Sequence, residues 1–272
     1  MNDPISAPNR DREGRARLAL VTGASSGIGQ AFARRLGHEG YDLVVVGRRS
    51  DRLEELVVAL PNVTVRPLVA DLGTDAGVEA VADVCAREDL SMLVNNAGVS
   101  HTMAFTDLAA GKASELLHVK VVAPTMLARA AAPGMAARGE GTIINVAGML
   151  AFGAQAPLGN ASGRAAYVGT LAHIVALSQA LHEELNSQGL RIQALCPRHC
   201  RDGIPRPSGD RPQRAAAHVG RGCRDREPAR AHARRSRLRS GRRKARFAHA
   251  ALKSALAAFS AQSPHLAGRY RS

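Results

Sequence analysis

The segment Val21-Thr22-Gly23-Ala24-Ser25-Ser26-Gly27-Ile28-Gly29 constrains this chain more than any other. It follows the apolar run Leu18-Ala19-Leu20-Val21 and opens onto Gln30-Ala31-Phe32-Ala33-Arg34-Arg35-Leu36, an amphipathic stretch. A strand, a glycine turn and a helix in that order let backbone approach a diphosphate. The glycines remove Cβ atoms at the contact, and the helix N-terminus offers unpaired N–H groups to the anion. A lone glycine triplet is a weak signal; the apolar run before it and the amphipathic stretch after it supply the context. Gly23, Ser25, Ser26, Gly27, Ile28 and Gly29 are the residues expected around the anion.

From residue 17 to 197 apolar strand-like runs alternate with helical periods. Strands are expected at Arg17–Thr22, Leu43–Gly47, Val63–Ala70, Met92–Asn95, Thr142–Ala147 and Arg191–Cys196, and helices at Gly27–His38, Asp51–Leu60, Thr74–Arg87, Gly111–Ala137 and Arg164–Ser187. Several of the strands are nearly continuous Val, Leu and Ile, as when both faces of a sheet are covered. The alternation implies an α/β fold with a doubly wound parallel sheet and helices in outer layers. The 272 residues suffice for one such domain. No apolar run approaches the ~18 residues that span a bilayer, and Met1–Arg15 lacks the apolar core of a secretory signal. Four cysteines without regular spacing fit a reducing cytoplasm, and Cys196, His199, Cys200 and Cys223 have no metal-ligand spacing.

The net charge of +14 is localised. The stretch Arg198–Arg246 holds 17 of the chain's 37 Lys and Arg residues but 4 of its 23 Asp and Glu residues. It lacks aromatic residues, has few aliphatic ones and shows no sustained period, whereas Phe247–Phe259 returns to helical spacing. A nucleic-acid arm would fit the charge, yet the stretch has no stacking groups and no reading module, so neither nucleic acid nor a membrane is the expected partner.

Thr22-Gly23-x3-Gly27-x-Gly29, Asp71, Asn95-Asn96-Ala97-Gly98, Gly141–Val146 and Cys196-Pro197 arrive in an order that resembles the short-chain dehydrogenase/reductase family over about 180 residues. The resemblance implies a Rossmann-like fold and hydride transfer between a nicotinamide cofactor and a small alcohol or carbonyl compound. It places Asp71 and Leu72 at the adenine, Asn95 and Ala97 beside the ribose, Gly98 in the motif that supports the sheet, and Pro197 at the start of the nicotinamide loop. It also implies a homodimer through Gly111–Ala137 and Arg164–Ser187. Where an acid would bind the ribose 2′-hydroxyl, this chain has Arg48-Arg49, two guanidiniums that fork onto a 2′-phosphate, so NADP is expected over NAD.

The chemical centre departs from the family's pattern. Tyr167 stands at the proton-donor position, but Leu171 replaces the lysine four residues on, Gly148 the serine and Lys120 the asparagine. Lowering a tyrosine pKa from about 10 to about 7 takes about 4 kcal/mol, much of which an ammonium would supply. Lys120 is therefore the candidate to bring the missing cation to Tyr167 from the opposite wall. His173, six residues after Tyr167, points across the helix from the +4 face. The departures also suit a rival reading, a dinucleotide-binding protein without turnover. The stretch between Gly148 and Tyr167 is longer than in the family, and Pro157–Gly163 reads as a flap over the substrate mouth.

The basic stretch is expected to be translated out of frame. Advancing the codons of Arg198–Arg206 by one base permits Gly-Ile-Val-Ala-Thr, the pattern the family places after Pro197. The same shift at His218–Asp225 permits a Glu-Asp-Val helix start. The expected organisation is a polar tail at 1–15, a nucleotide-binding domain at 16–197, the out-of-frame segment at 198–246 and a helix with tail at 247–272. The last strand would be lost and the sixth left with an unpaired edge.

Overall fold

Strands that are apolar on both faces must be covered on both faces, and this requirement sets the architecture. The structure, a computed structural model, describes residues 9–10, 14–155 and 163–197. Strands β1 (Leu18–Thr22), β2 (Asp42–Gly47), β3 (Val65–Val69), β4 (Leu90–Asn95), β5 (Gly141–Val146) and β6 (Leu190–Leu195) form one sheet. All neighbours pair in parallel, in the order β3-β2-β1-β4-β5-β6. This is the expected Rossmann-like doubly wound sheet. The order reverses between β1 and β4, and the crevice beyond their carboxyl ends is where such sheets bind ligands.

Alternate residues of β1 face opposite layers. Ala19 and Val21 join Phe32 and Leu36 of α1 (Gly27–His38) and Leu53 and Leu56 of α2 (Ser50–Ala59). Leu20 joins Val78 and Val81 of α3 (Asp75–Arg87) on the other side. That second layer also holds α4 (Ala110–Leu117), α5 (Ala123–Arg138) and α6 (Ala165–Leu185). Leu20, Leu36, Leu53, Leu93 and Leu127 are fully enclosed, each contributing about 1.5–3 kcal/mol by leaving water. Pro67 sits in β3, an outer strand, where a missing N–H is tolerated. Among the described residues β6 is the opposite edge and pairs with β5 alone.

The single helix expected over Gly111–Ala137 is divided. Between α4 and α5 the residues His118–Val122 form a π turn, in which the Ala123 N–H reaches back five residues to the His118 carbonyl. Two local causes act together. Val119, Val121 and Val122 are β-branched and crowd a regular helix, and Pro124 lacks the N–H that would bond the Lys120 carbonyl. Strand and helix boundaries otherwise agree with expectation to within about three residues. Residues 157–162 of the expected flap, most of the N-terminal tail, the basic stretch and the C-terminal helix lie outside the described residues. No helix among the described residues is long and apolar enough to cross a membrane.

Buried amides tie the carboxyl ends of the central strands to the helical layer. Asn95 Nδ2 donates to Asn145 Oδ1 at 2.9 Å, Asn145 Nδ2 to Ser178 Oγ at 2.9 Å, and Ser178 Oγ to the Ile174 carbonyl at 2.7 Å. Asn145 has no exposed surface, so removing its amide leaves partners unpaired in a dry site. The Asn145→Ala variant is expected to lose about 1–3 kcal/mol, read as a lower urea midpoint at unchanged m. An unaltered midpoint would contradict this role.

Candidate active site

The turn after β1 is built around Thr22. Its hydroxyl donates to the Val94 carbonyl at 3.3 Å and accepts the N–H groups of Asn96 at 2.9 Å and Ala97 at 3.0 Å. Asn96 Nδ2 in turn donates to the Thr22 and Gly23 carbonyls at 3.0 and 3.3 Å. Gly23 and Gly27 take φ of +66° and +61°, which side chains resist. A Cβ at Gly29 would lie 2.4 Å from the Gly23 carbonyl oxygen. Ser26 begins α1 with extended backbone, makes no side-chain cap bond, and no acid occupies the first turn. These first-turn N–H groups thus face the crevice without a capping side chain or a competing negative charge, which suits an anion. Ser26 and Gly27 are exposed, Ser25 and Ile28 half-buried, and Gly29 buried at the hinge of the turn.

Arg48 and Arg49 follow β2 beside this turn. Arg49 Nη2 donates to Ser25 Oγ at 3.0 Å and to the Ser25 carbonyl at 3.2 Å. Arg48 lies 3.9 Å from Asp71 and 3.6 Å from Glu115, whose other oxygen is 3.0 Å from His101 Nε2. Exposed pairs of this kind are worth about 0–1 kcal/mol, so Arg48 is readily recruited by a phosphate. Asp71 is exposed, while the Leu72 side chain is buried in the core and leaves only backbone to a ligand.

Asn95, expected beside the ribose, has its amide nitrogen already engaged. Its side chain is buried, donating to Asn145 and to the Pro124 carbonyl, because it braces the strand ends from within. Asn96 and Thr22, quoted in the sequence motifs without a role of their own, shape the crevice. Ala97 and the exposed Gly98 continue the rim. Pro197 is half-buried, its carbonyl accepting the Met149 N–H at 3.4 Å, so the segment after β6 lies beside the one after β5.

Around Tyr167 the surroundings are apolar. Tyr167 packs, partly buried, against the cluster of Ala147, Leu171, Ile174 and Val175. A Cβ at Gly148 would lie 3.3 Å from Leu171 Cδ1, so the two departures from the family's pattern meet each other. Burial pushes the Tyr167 phenol above its usual value, and the Arg164 charge pulls the other way. Lys120 does enter the interior, with its Nζ 3.4 Å from the Val146 carbonyl, and burial lowers its pKa to about 8. The charge that acts on the Tyr167 phenol among its near neighbours is that of Arg164, while Lys120 Nζ is engaged by the Val146 carbonyl. His173 Nε2 lies 3.2 Å from Thr125 Oγ1, on the side of α6 facing α5.

Residues 17–208 match the family model described as short chain dehydrogenase. A very-long-chain 3-oxoacyl-CoA reductase of Pyrenophora tritici-repentis is 30% identical over 190 residues, covering 66% of this chain and 54% of that protein. The chain spans about half the length of such fungal relatives. Among solved structures, a bulky-bulky ketone specific alcohol dehydrogenase from Comamonas testosteroni is 34% identical, covering 70% of this chain and 76% of the other, with a TM-score of 0.64. A short-chain dehydrogenase from Sphingobium yanoikuyae in complex with NADPH is 35% identical, covering 67% and 71%, with a TM-score of 0.63.

Two glycine variants separate crowding from backbone strain in the turn. Gly27→Ala meets no atom within 4 Å, so it is expected to cost only the left-handed backbone penalty of about 1–2 kcal/mol. Gly29→Ala must displace the Gly23 carbonyl and should unfold at the lower temperature of the two. Equal melting temperatures would contradict the packing described.

Proposed function

The chain belongs to the short-chain dehydrogenase family, and on that premise we propose that it is a nicotinamide-dinucleotide oxidoreductase acting on a small alcohol or carbonyl compound, with NADP preferred over NAD. The observation that carries this reading is the uncapped N-terminus of α1 at the point where the strand order reverses, flanked by Arg48 and Arg49. Gly23, Ser25, Ser26, Gly27, Ile28 and Gly29 would hold the diphosphate. Arg48 and Arg49 would take the 2′-phosphate, and Asp71 with the Leu72 backbone the adenine. The NADPH bound by the Sphingobium relative supports the same cofactor class here.

A reduced nicotinamide, when bound, supplies a hydride to a carbonyl carbon. The chain must then place a proton on the developing alkoxide, and Tyr167 is the donor we assign. Its raised pKa keeps the phenol protonated near neutral pH, the form needed to donate, while phenolate for the reverse reaction is scarce. Leu171 and Gly148, which pack on each other, offer the phenol neither charge nor hydrogen bond. That apolar contact also favours a second reading, a dinucleotide-binding protein without turnover. A screen of NADPH oxidation with ketones and aldehydes separates the two: turnover supports the enzyme, and nucleotide binding with none supports the binder.

Three further parts belong to the same reading. A second copy would pack over α4, α5 and α6, where Leu117 and Met126 are exposed. We keep the reading of 198–246 as out of frame on its arginine-rich, aperiodic composition; the family match extends to residue 208. The cytoplasm remains the compartment we assign.

Replacing Arg48 and Arg49 together by Ala is expected to weaken NADPH binding about 10- to 100-fold and leave NADH nearly unchanged, measured by nicotinamide fluorescence. Equal losses for both nucleotides would contradict the assignment. Tyr167→Phe should lower the reduction kcat about 10²–10⁴-fold. Alcohol oxidation by the wild type needs the phenolate, so its rate should climb through the alkaline range without levelling below about pH 10. A plateau near neutrality would contradict the Tyr167 environment.

A further inference from the structure

We infer that Lys120 is the buried cation at the nicotinamide end of the nucleotide crevice, carried there by the π turn, and that it shares one buried water with Asn95 and binds the sugar hydroxyls on the nicotinamide side of a dinucleotide. The inference rests on the oxidoreductase reading above. The position of Lys120 follows from the backbone: the wide turn at His118–Val122 packs against α6 and buries both Val119 and Lys120. A Cβ at Gly98 would fall 2.5 Å from both Cε and Nζ of Lys120. The lysine thus runs against the backbone of Gly98, an exposed rim residue just beyond β4, and its Nζ meets the last carbonyl of β5.

Hydrogen-bond accounting at this point leaves a surplus on both sides. An ammonium carries three N–H donors, and the one bond Lys120 makes among the described residues is the 3.4 Å contact with Val146. Asn95 Oδ1 is buried with no partner. Both residues line a small cavity of about 10 Å³ with Thr22, Ala97 and Val146, room for a single water. The Thr22 hydroxyl already makes three bonds. A water that accepts from the ammonium and donates to Asn95 Oδ1 satisfies donor and acceptor at once, and buried polar groups without partners are costly. One N–H then remains for an acceptor lying over Gly98. Position 171 presents a leucine from α6, so the ammonium near the end of β5 is that of Lys120.

The test compares NADPH with adenosine 2′,5′-bisphosphate, which has the adenine half but no nicotinamide sugar. Fluorescence and calorimetric titrations are run on the wild type, Lys120→Met and Lys120→Gln, the last keeping a donor for the Val146 carbonyl. Both variants are expected to bind NADPH about tenfold more weakly and the bisphosphate as the wild type does. Unchanged NADPH affinity, or equal losses for both ligands, overturns the inference. Should neither variant fold, nitrogen-15 NMR of the wild type decides: NADPH must shift the Lys120 Nζ resonance and the bisphosphate must leave it in place, and equal shifts with both ligands overturn it. A wild type that binds the bisphosphate but not NADPH also overturns it, whereas one that binds neither removes the oxidoreductase reading itself.

Discussion

Every feature of the crevice depends on the Thr22 hydroxyl. One oxygen receives the backbone N–H groups of Asn96 and Ala97 and donates to Val94, joining the end of β1 to the end of β4 where the strand order reverses. Asn96 returns two bonds to the carbonyls of Thr22 and Gly23. The turn and the rim of the crevice are therefore one bonded unit, and neither can move without breaking the other. The direction of α1, the approach of Gly29 to Gly23 and the position of Gly98 all follow from this junction.

The two ends of the crevice have opposite electrostatic character. At the α1 end lie free backbone donors, two arginines and pairs weak enough to rearrange around a phosphate. At the Tyr167 end, polar groups of the family's pattern are replaced by a glycine and a leucine that pack on each other. An apolar wall there keeps the phenol neutral, and the remaining buried charge enters from the π turn on the opposite side. The proposed chemistry thus relies on a protonated acid and a buried lysine rather than on an ionised tyrosine.

Much of this was legible in the sequence because it rests on local signals. Continuous Val and Leu runs gave the strands, and a strand, glycine turn and amphipathic run in succession gave the junction that the structure builds. The replaced positions were readable too, since Gly148, Leu171 and Lys120 stand at fixed offsets from Tyr167 and the fifth strand. What escaped depends on three-dimensional contacts. The division of the long helix required weighing Val119, Val121, Val122 and Pro124 together, and those residues were the available signal. Asn95 and Asn96 are neighbours in one motif, yet strand alternation sends the first inward to Asn145 and the second to Thr22. Arg164 affects Tyr167 from one helical turn away, a relation the search for a replacement lysine passed over.

The most direct test of the account is amide hydrogen exchange of the full chain with and without saturating NADPH. If the Thr22 junction presents the first turn of α1 to a diphosphate, exchange should slow at residues 26–29 and at 96–98 together. The outer helix face at residues 54–58, remote from the crevice, should exchange at the same rate in both states. Unchanged exchange at the turn while NADPH is demonstrably bound would place the nucleotide elsewhere and contradict the account.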